Sequence, residues 1–178
     1  MQIPTSFGLV QIMNEPAYSF GSADNARTYP IEVRLLAGHP TSAHAVVLDG
    51  RGAMIVGAGG GCSAVHARSA VAIDDRLYLA VGDHIACLSL SLPHRLVWAT
   101  QVDVATCFGI LWDGTRAVLI SHGELEIARL SLQGEVMWTT SGADIFTGVC
   151  SLQPDHVAVV DFNETHYRLD YETGMLLA

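Results

Sequence analysis

Charged side chains are scarce in this 178-residue chain, at 15% of the total, and the shortage falls on the basic side: nine Lys+Arg against eighteen Asp+Glu. The formal net charge of −9 and a pI of about 5.1 describe a surface that repels phosphate backbones, and no basic cluster offsets it locally. Nucleic acid is therefore not an expected partner. Long apolar runs are missing as well. A spanning helix needs about 18 nearly uncharged residues, and here Asp, Arg, Gly or His breaks every apolar run early, so no membrane association is expected. Cys62, Cys87, Cys107 and Cys150 are scattered, with no C-x-x-C spacing for zinc or redox chemistry. They read as free thiols of a cytoplasmic protein. The start of the chain, MQIPTSFGLVQIMNEP, lacks the basic n-region of a signal peptide. Helix signals are poor: the best candidate, CSAVHARSA (62–70), is short. No G-x-S-x-G, H-E-x-x-H, Walker or paired-carboxylate motif occurs, and no catalytic residue is assigned.

What the chain does have is apolar residues, 50% of the total, which excludes disorder. They are organised as a repeat. Three hairpin-like segments align: AVAIDDRLYLAV (70–81), GILWDGTRAVLI (109–120) and GVCSLQPDHVAVV (148–160). Each has acidic, Gly or Pro residues between β-branched runs, which is hairpin chemistry. Each is followed by a polar turn, an alternating third strand (IACLSLSL, LEIARLSL, THYRLDY) and a short fourth strand. The fourth strands end at Trp98, Trp138 and Ala178, spaced 40 and 40 residues. Four strands in about 40 residues is the spacing of a β-propeller blade.

A fourth hairpin, AVVLDGRGAMIV (45–56), looks alike but breaks the spacing: Leu48 to Ile73 is 25 residues, Ile73 to Trp112 is 39. Its unit is short, or takes outer strands from elsewhere; IEVRLL (31–36) is a candidate. The expected fold is an all-β, propeller-like array of about 3.5–4 four-stranded antiparallel units with an N-terminal extension. The divisions within this single domain are 1–28 (extension, with one strand at FGLVQIM), 29–68 (short first unit), 69–102, 103–142 and 143–178. An N-terminal strand completing the last unit would close a ring; an open array is expected to self-associate, as a homodimer.

The last unit, YRLDYETGMLLA, resembles the blade motif of the PQQ-like (quinoprotein-type) β-propellers through Tyr167, Leu169, Asp170, Thr173, Gly174 and Leu177. The second unit is similar through Leu130, Gly134 and Trp138, and the first through Leu90 and Trp98, so the resemblance covers about 70–178. It implies blade architecture. Full-length quinoproteins have more blades than this chain has room for, and seat their cofactor in a central channel. No cofactor-binding residue is matched, so no cofactor is expected.

Each candidate for chemistry has a plainer structural alternative. The glycines 57–61 of MIVGAGGGCSAVHARSA (54–70) suggest a dinucleotide turn, but Cys62 stands at the third glycine position of G-x-G-x-x-G and a hairpin follows instead of a crossover. A flexible connection between blades is the simpler reading. Cys62 with His66 offers a thiolate–imidazole pair; the alternative is a small loop residue beside an unrelated histidine. Trp98, Trp112 and Trp138 offer a binding platform or inter-blade core. The turns after the second strand of each unit carry Asp83, His84, His122, Glu124, Asp161 and Glu164, which fall on one rim if the units are equivalent. That rim is the candidate ligand or metal site; its alternative role is to satisfy turn backbones.

The expected function is a non-catalytic β-repeat scaffold that binds another protein, since rigid repeats displaying variable turns suit recognition. An immunity-type protein that neutralises a basic toxin is one form of it, a regulatory binding protein another. The rival is a metal- or small-ligand-binding enzyme or sensor built on the His/Asp/Glu rim.

Overall fold

The apolar runs pair as antiparallel ladders, and the computed structural model, which describes residues 1–177, contains sixteen strands and no helix. They are β1 (Gln2–Thr5), β2 (Gly8–Asn14), β3 (Ile31–Arg34), β4 (Ser42–Leu48), β5 (Arg51–Ala58), β6 (Ala70–Ile73), β7 (Arg76–Val81) and β8 (His84–Ser89). There follow β9 (Arg95–Gln101), β10 (Cys107–Asp113), β11 (Val118–Gly123), β12 (Glu126–Leu130), β13 (Val136–Ser141), β14 (Cys150–Leu152), β15 (His156–Val160) and β16 (His166–Asp170). Four sheets result, ordered β1-β2-β4-β5-β3, β6-β7-β8-β9, β10-β11-β12-β13 and β14-β15-β16. The protein is an all-β, propeller-like array of four units. Residues 62–70, the one helix candidate, form no helix.

The first sheet explains the broken spacing. The hairpin at 45–56 is β4–β5, the second hairpin of its sheet, whereas 70–81, 109–120 and 148–160 are first hairpins. Two strands from residues 2–14 precede it, with β1 lying against β6 of the next sheet. The N-terminal strands therefore build the first unit and do not close the last. Between β2 and β4 the chain leaves the sheet and adds β3 in parallel at the far edge, Ile31 opposite Met54.

Alternation of side chains places three cores in series. Leu77, Leu79 and Val81 meet the first sheet's Val10, Ile12, Met54 and Val56. The other face of the same strand carries Tyr78 and Ala80 into the third sheet's Ile110, Leu119 and Leu130. Ile120, Ile127 and Trp138 then pack on Val157, Val159 and Leu169 of the fourth. Strands buried on both faces read as nearly continuous apolar runs, which is why RLYLAV lacks a polar side.

The outer faces of the first and fourth sheets differ. The first sheet's outer face (Ala43, Ala45, Val47, Ile55) is covered by Tyr18, Phe20 and Tyr29 from the excursion between β2 and β4. Register places Ser151, Ala158 and Arg168 side by side on the face of the fourth sheet opposite its core, with Val160 beside His166. This face mixes polar and apolar side chains.

Sheets two, three and four share a latch. Trp98 Nε1 donates to the Leu132 carbonyl at 3.1 Å and Trp138 Nε1 to the Tyr171 carbonyl at 2.8 Å. Thr100 and Thr140 hydroxyls donate to the carbonyls of Gly134 and Gly174 at 2.8 and 2.6 Å. Both glycines have positive φ, +86° and +69°, and a Cβ there would lie 2.6 Å from Trp98 and 2.7 Å from Trp138. Tight turn and inter-sheet contact thus demand the same residue. Ala178, placed at the third fourth-strand end by its spacing, lies outside the described residues.

Between β5 and β6 the Gly-rich segment is a packed strap. Gly60 has φ +75°, and a Cβ on it would fall 2.1 Å from the Ala105 carbonyl oxygen. The positive φ and the close approach account for glycine here; a phosphate-binding turn is not formed, since no helix follows.

Gly134→Ala and Gly174→Ala should each destabilise the protein by about 2–4 kcal/mol, combining left-handed strain with overpacking. Urea unfolding midpoints test this; a loss below about 0.5 kcal/mol at both sites contradicts the latch.

Candidate functional site

Antiparallel pairing puts the β7–β8, β11–β12 and β15–β16 turns at one end of the array. The connectors from β9 to β10 and from β13 to β14 cross there too. Cys107 N–H donates to the Gly82 carbonyl, Glu124 N–H to Thr106, Phe146 N–H to Glu124 and Phe162 N–H to Ile145, all at 2.7–2.8 Å. The rim is a backbone network running from sheet to sheet.

The six residues singled out by sequence lie at successive junctions of this network. Asp83 is buried, with one oxygen 2.7 Å from His84 Nδ1 and the other accepting from Gln101 Nε2 at 2.9 Å. His122 is buried; its Nε2–H donates to the Phe146 carbonyl at 3.1 Å and its ring meets Phe108 edge-on. Burial pushes its pKa down to about 4, although the carbonyl contact favours the cation and opposes this. Glu124 contributes backbone to the network. Asp161 accepts from Thr165 N–H and Tyr167 O–H, both at 2.8 Å. Burial alone would raise its pKa, but these bonds hold it below the usual carboxylate value. Glu164 sits at φ 63° in the same turn, its N–H on the Asp161 carbonyl. Turn geometry thus engages Asp83, His84, His122 and Asp161 individually. Among the described residues no group of three or more His, Cys, Asp or Glu is arranged to hold a metal ion.

The other sequence candidates serve the fold. His66 Nε2 lies on the Phe108 carbonyl while its Nδ1 accepts from Arg68 N–H at 3.2 Å, so its ring faces backbone on both sides. Cys62 is exposed; Cys87, Cys107 and Cys150 are buried, and none of the four is in a disulfide. Burial pushes the Cys107 and Cys150 thiols up to about 12, away from nucleophilic use. Trp98 and Trp138 lie between sheets and Trp112 packs against the second core.

Two features were not anticipated. Asp103, buried in the β9–β10 connector, accepts from Leu125 and Glu126 N–H at 2.8 and 3.0 Å and so pins the β11–β12 turn. With the polar groups turned inward, the rim displays apolar ones: Val104 is 73% exposed and Phe162 65%. Val104, Leu125 and Ile145 line a groove of about 360 Å³ with Glu126, Ser141, Gly142, Ala143 and Asp144. Phe162 lies in the neighbouring turn, its N–H donating to the Ile145 carbonyl at 2.8 Å. No arginine or histidine lines this groove. The sequence signal was an apolar residue inside a polar turn, in VDVAT and DFNET.

The sequence matches no protein-family model and no curated protein. Among solved structures the fold is similar to the computationally designed Ika4 protein, with TM-score 0.52 and 12% identity over 64% of this chain and 73% of that one. It is also similar to the computationally designed Ika8 protein, with TM-score 0.55 and 12% identity over 76% of this chain and 42% of that one. The chain thus spans less than half of Ika8. At this identity the likeness is one of fold. Among the described residues no helix is long and apolar enough to cross a membrane.

His122 gives a pH test. Its folded pKa of about 4 lies below the unfolded value near 6.5, so the unfolded chain binds the proton first as pH falls. Its contribution is intact above about pH 6.5 and is lost progressively down to about 4, a change of roughly 2–3 kcal/mol. Urea midpoints at pH 7 and 4.5 should converge in His122→Gln relative to the unsubstituted protein. An unchanged pH dependence in the variant would contradict a buried neutral imidazole.

Proposed function

We propose that this protein is a non-catalytic β-repeat scaffold that binds another protein through its turn-bearing rim. The carrying observation is the groove lined by Val104, Leu125 and Ile145 on a hydrogen-bonded backbone network, with Val104 strongly exposed and a second exposed apolar residue, Phe162, in the turn bonded to Ile145. Contiguous exposed apolar side chains with a polar surround mark interaction surfaces. The blade-like repeat, of the kind seen in quinoprotein-type propellers, serves here as support. The outer face of the first sheet is covered by Tyr18, Phe20 and Tyr29, and the rim offers strongly exposed apolar side chains. A cytoplasmic setting fits four cysteines without a disulfide. A regulatory or immunity-type binding protein both agree with this reading.

The test is affinity capture from the source cells, comparing the unsubstituted chain with Val104→Ser/Phe162→Ser. Both side chains are exposed, so melting temperature should hold within a few degrees. Removing two apolar anchors should weaken a captured partner about tenfold or more. Equal capture by both proteins overturns the assignment to the rim.

A further inference from the structure

The groove on the rim has a charge as well as a shape. Glu126 and Asp144 line it, and Glu124 precedes the lining residue Leu125 in the same turn. Asp144 is engaged, accepting from Ile145 N–H at 2.8 Å and Asn163 Nδ2 at 2.6 Å. The Glu124 and Glu126 side chains make no hydrogen bond or ion pair within the described residues. Both are partly buried, where a carboxylate attracts a cation more strongly than in open water. The neighbouring His122 is held neutral by its burial and supplies no counter-charge. The hairpin turn bearing Arg116 lies at the opposite end of β11, since it joins β10 to β11.

Resting on the reading of the rim as a protein-binding surface, we infer that its occupant is a basic segment of a partner protein. One apolar side chain enters between Val104, Leu125 and Ile145, and flanking Arg or Lys residues meet Glu124 and Glu126. Charge complementarity selects this occupant: an apolar groove bordered by unpaired carboxylates and no cation favours cationic flanks and disfavours acidic ones. The chain's net charge of −9 acts in the same direction at long range.

The probe is a library of random 12-residue peptides displayed on phage. It is selected on the full chain and counter-selected on Val104→Arg, whose exposed side chain blocks the groove without touching a core. Enriched peptides should carry an apolar residue flanked by at least two Arg or Lys. A synthetic peptide of the enriched sequence should bind at least fivefold more weakly to Glu124→Gln/Glu126→Gln and change less than twofold with Glu135→Gln in the β12–β13 turn. Enrichment of neutral or acidic peptides overturns the inference, as does equal binding to the Glu→Gln pair or no enrichment above counter-selection. Those results leave the rim standing as a protein-binding surface if Val104→Ser/Phe162→Ser still abolishes capture of a cellular partner. Loss of neither capture nor peptide binding on the Val104 variants removes both.

Discussion

The strap between β5 and β6 is the constraint on which the rest of the array depends. Stacked repeats ordinarily touch only their neighbours, and here eleven residues, 59–69 by their numbering, reach every sheet. Ser63 and Val65 N–H donate to Ser42 Oγ and Asn14 Oδ1 of the first sheet. Ser63 Oγ accepts from Gly82 N–H, and the Ser69 carbonyl from Ala80 N–H, in the second. The Arg68 carbonyl accepts from Ile110 N–H in the third, and its guanidinium donates to the Cys150 carbonyl in the fourth. His44, buried beneath the strap, lies 3.1 Å from the Ala80 carbonyl and 3.2 Å from that of Ser63. Backbone groups that would be left unsatisfied at the strand ends find their partners here.

This arrangement decides what is left for the surface. The strap and connectors occupy the carboxylates and imidazoles at the strand ends, because turn N–H groups and crossing carbonyls need partners. Val102 and Phe146 of the same connectors enter the second and third cores, whereas Val104 and Phe162 stay outside. A rim that reads as polar in the sequence is therefore apolar in space, bordered by the glutamates that the turns do not use.

Much of the fold was legible because its units bury both faces. Apolar, β-branched runs broken by Asp-Asp, Asp-Gly and Pro-Asp turns marked the hairpins at 70–81, 109–120 and 148–160, and the 40-residue spacing of Trp98 and Trp138 marked an inter-sheet contact. The 45–56 hairpin was out of phase because it is the second hairpin of its sheet, after β1–β2, whereas the other three are first hairpins, and nothing in a two-residue alternation reports which hairpin of a sheet it forms. The glycines read as a flexible link, because a close approach such as that of Gly60 to Ala105 is a long-range contact with no local signal. For the site, Asp83, His84, His122, Glu124, Asp161 and Glu164 lie at the β7–β8, β11–β12 and β15–β16 turns, but composition does not say which groups turn inward. Asp103 and Val104 are adjacent, one buried and one exposed; only the path of the connector separates them.

Hydrogen exchange on Gly60→Ala tests the central claim most directly. If the strap couples the array, amides of the first, second, third and fourth sheets should lose protection together, including Ile110 in β10 and Val159 in β15, far along the chain from the substitution. Loss confined to the first two sheets, with the fourth unchanged, would show a nearest-neighbour stack and contradict the account.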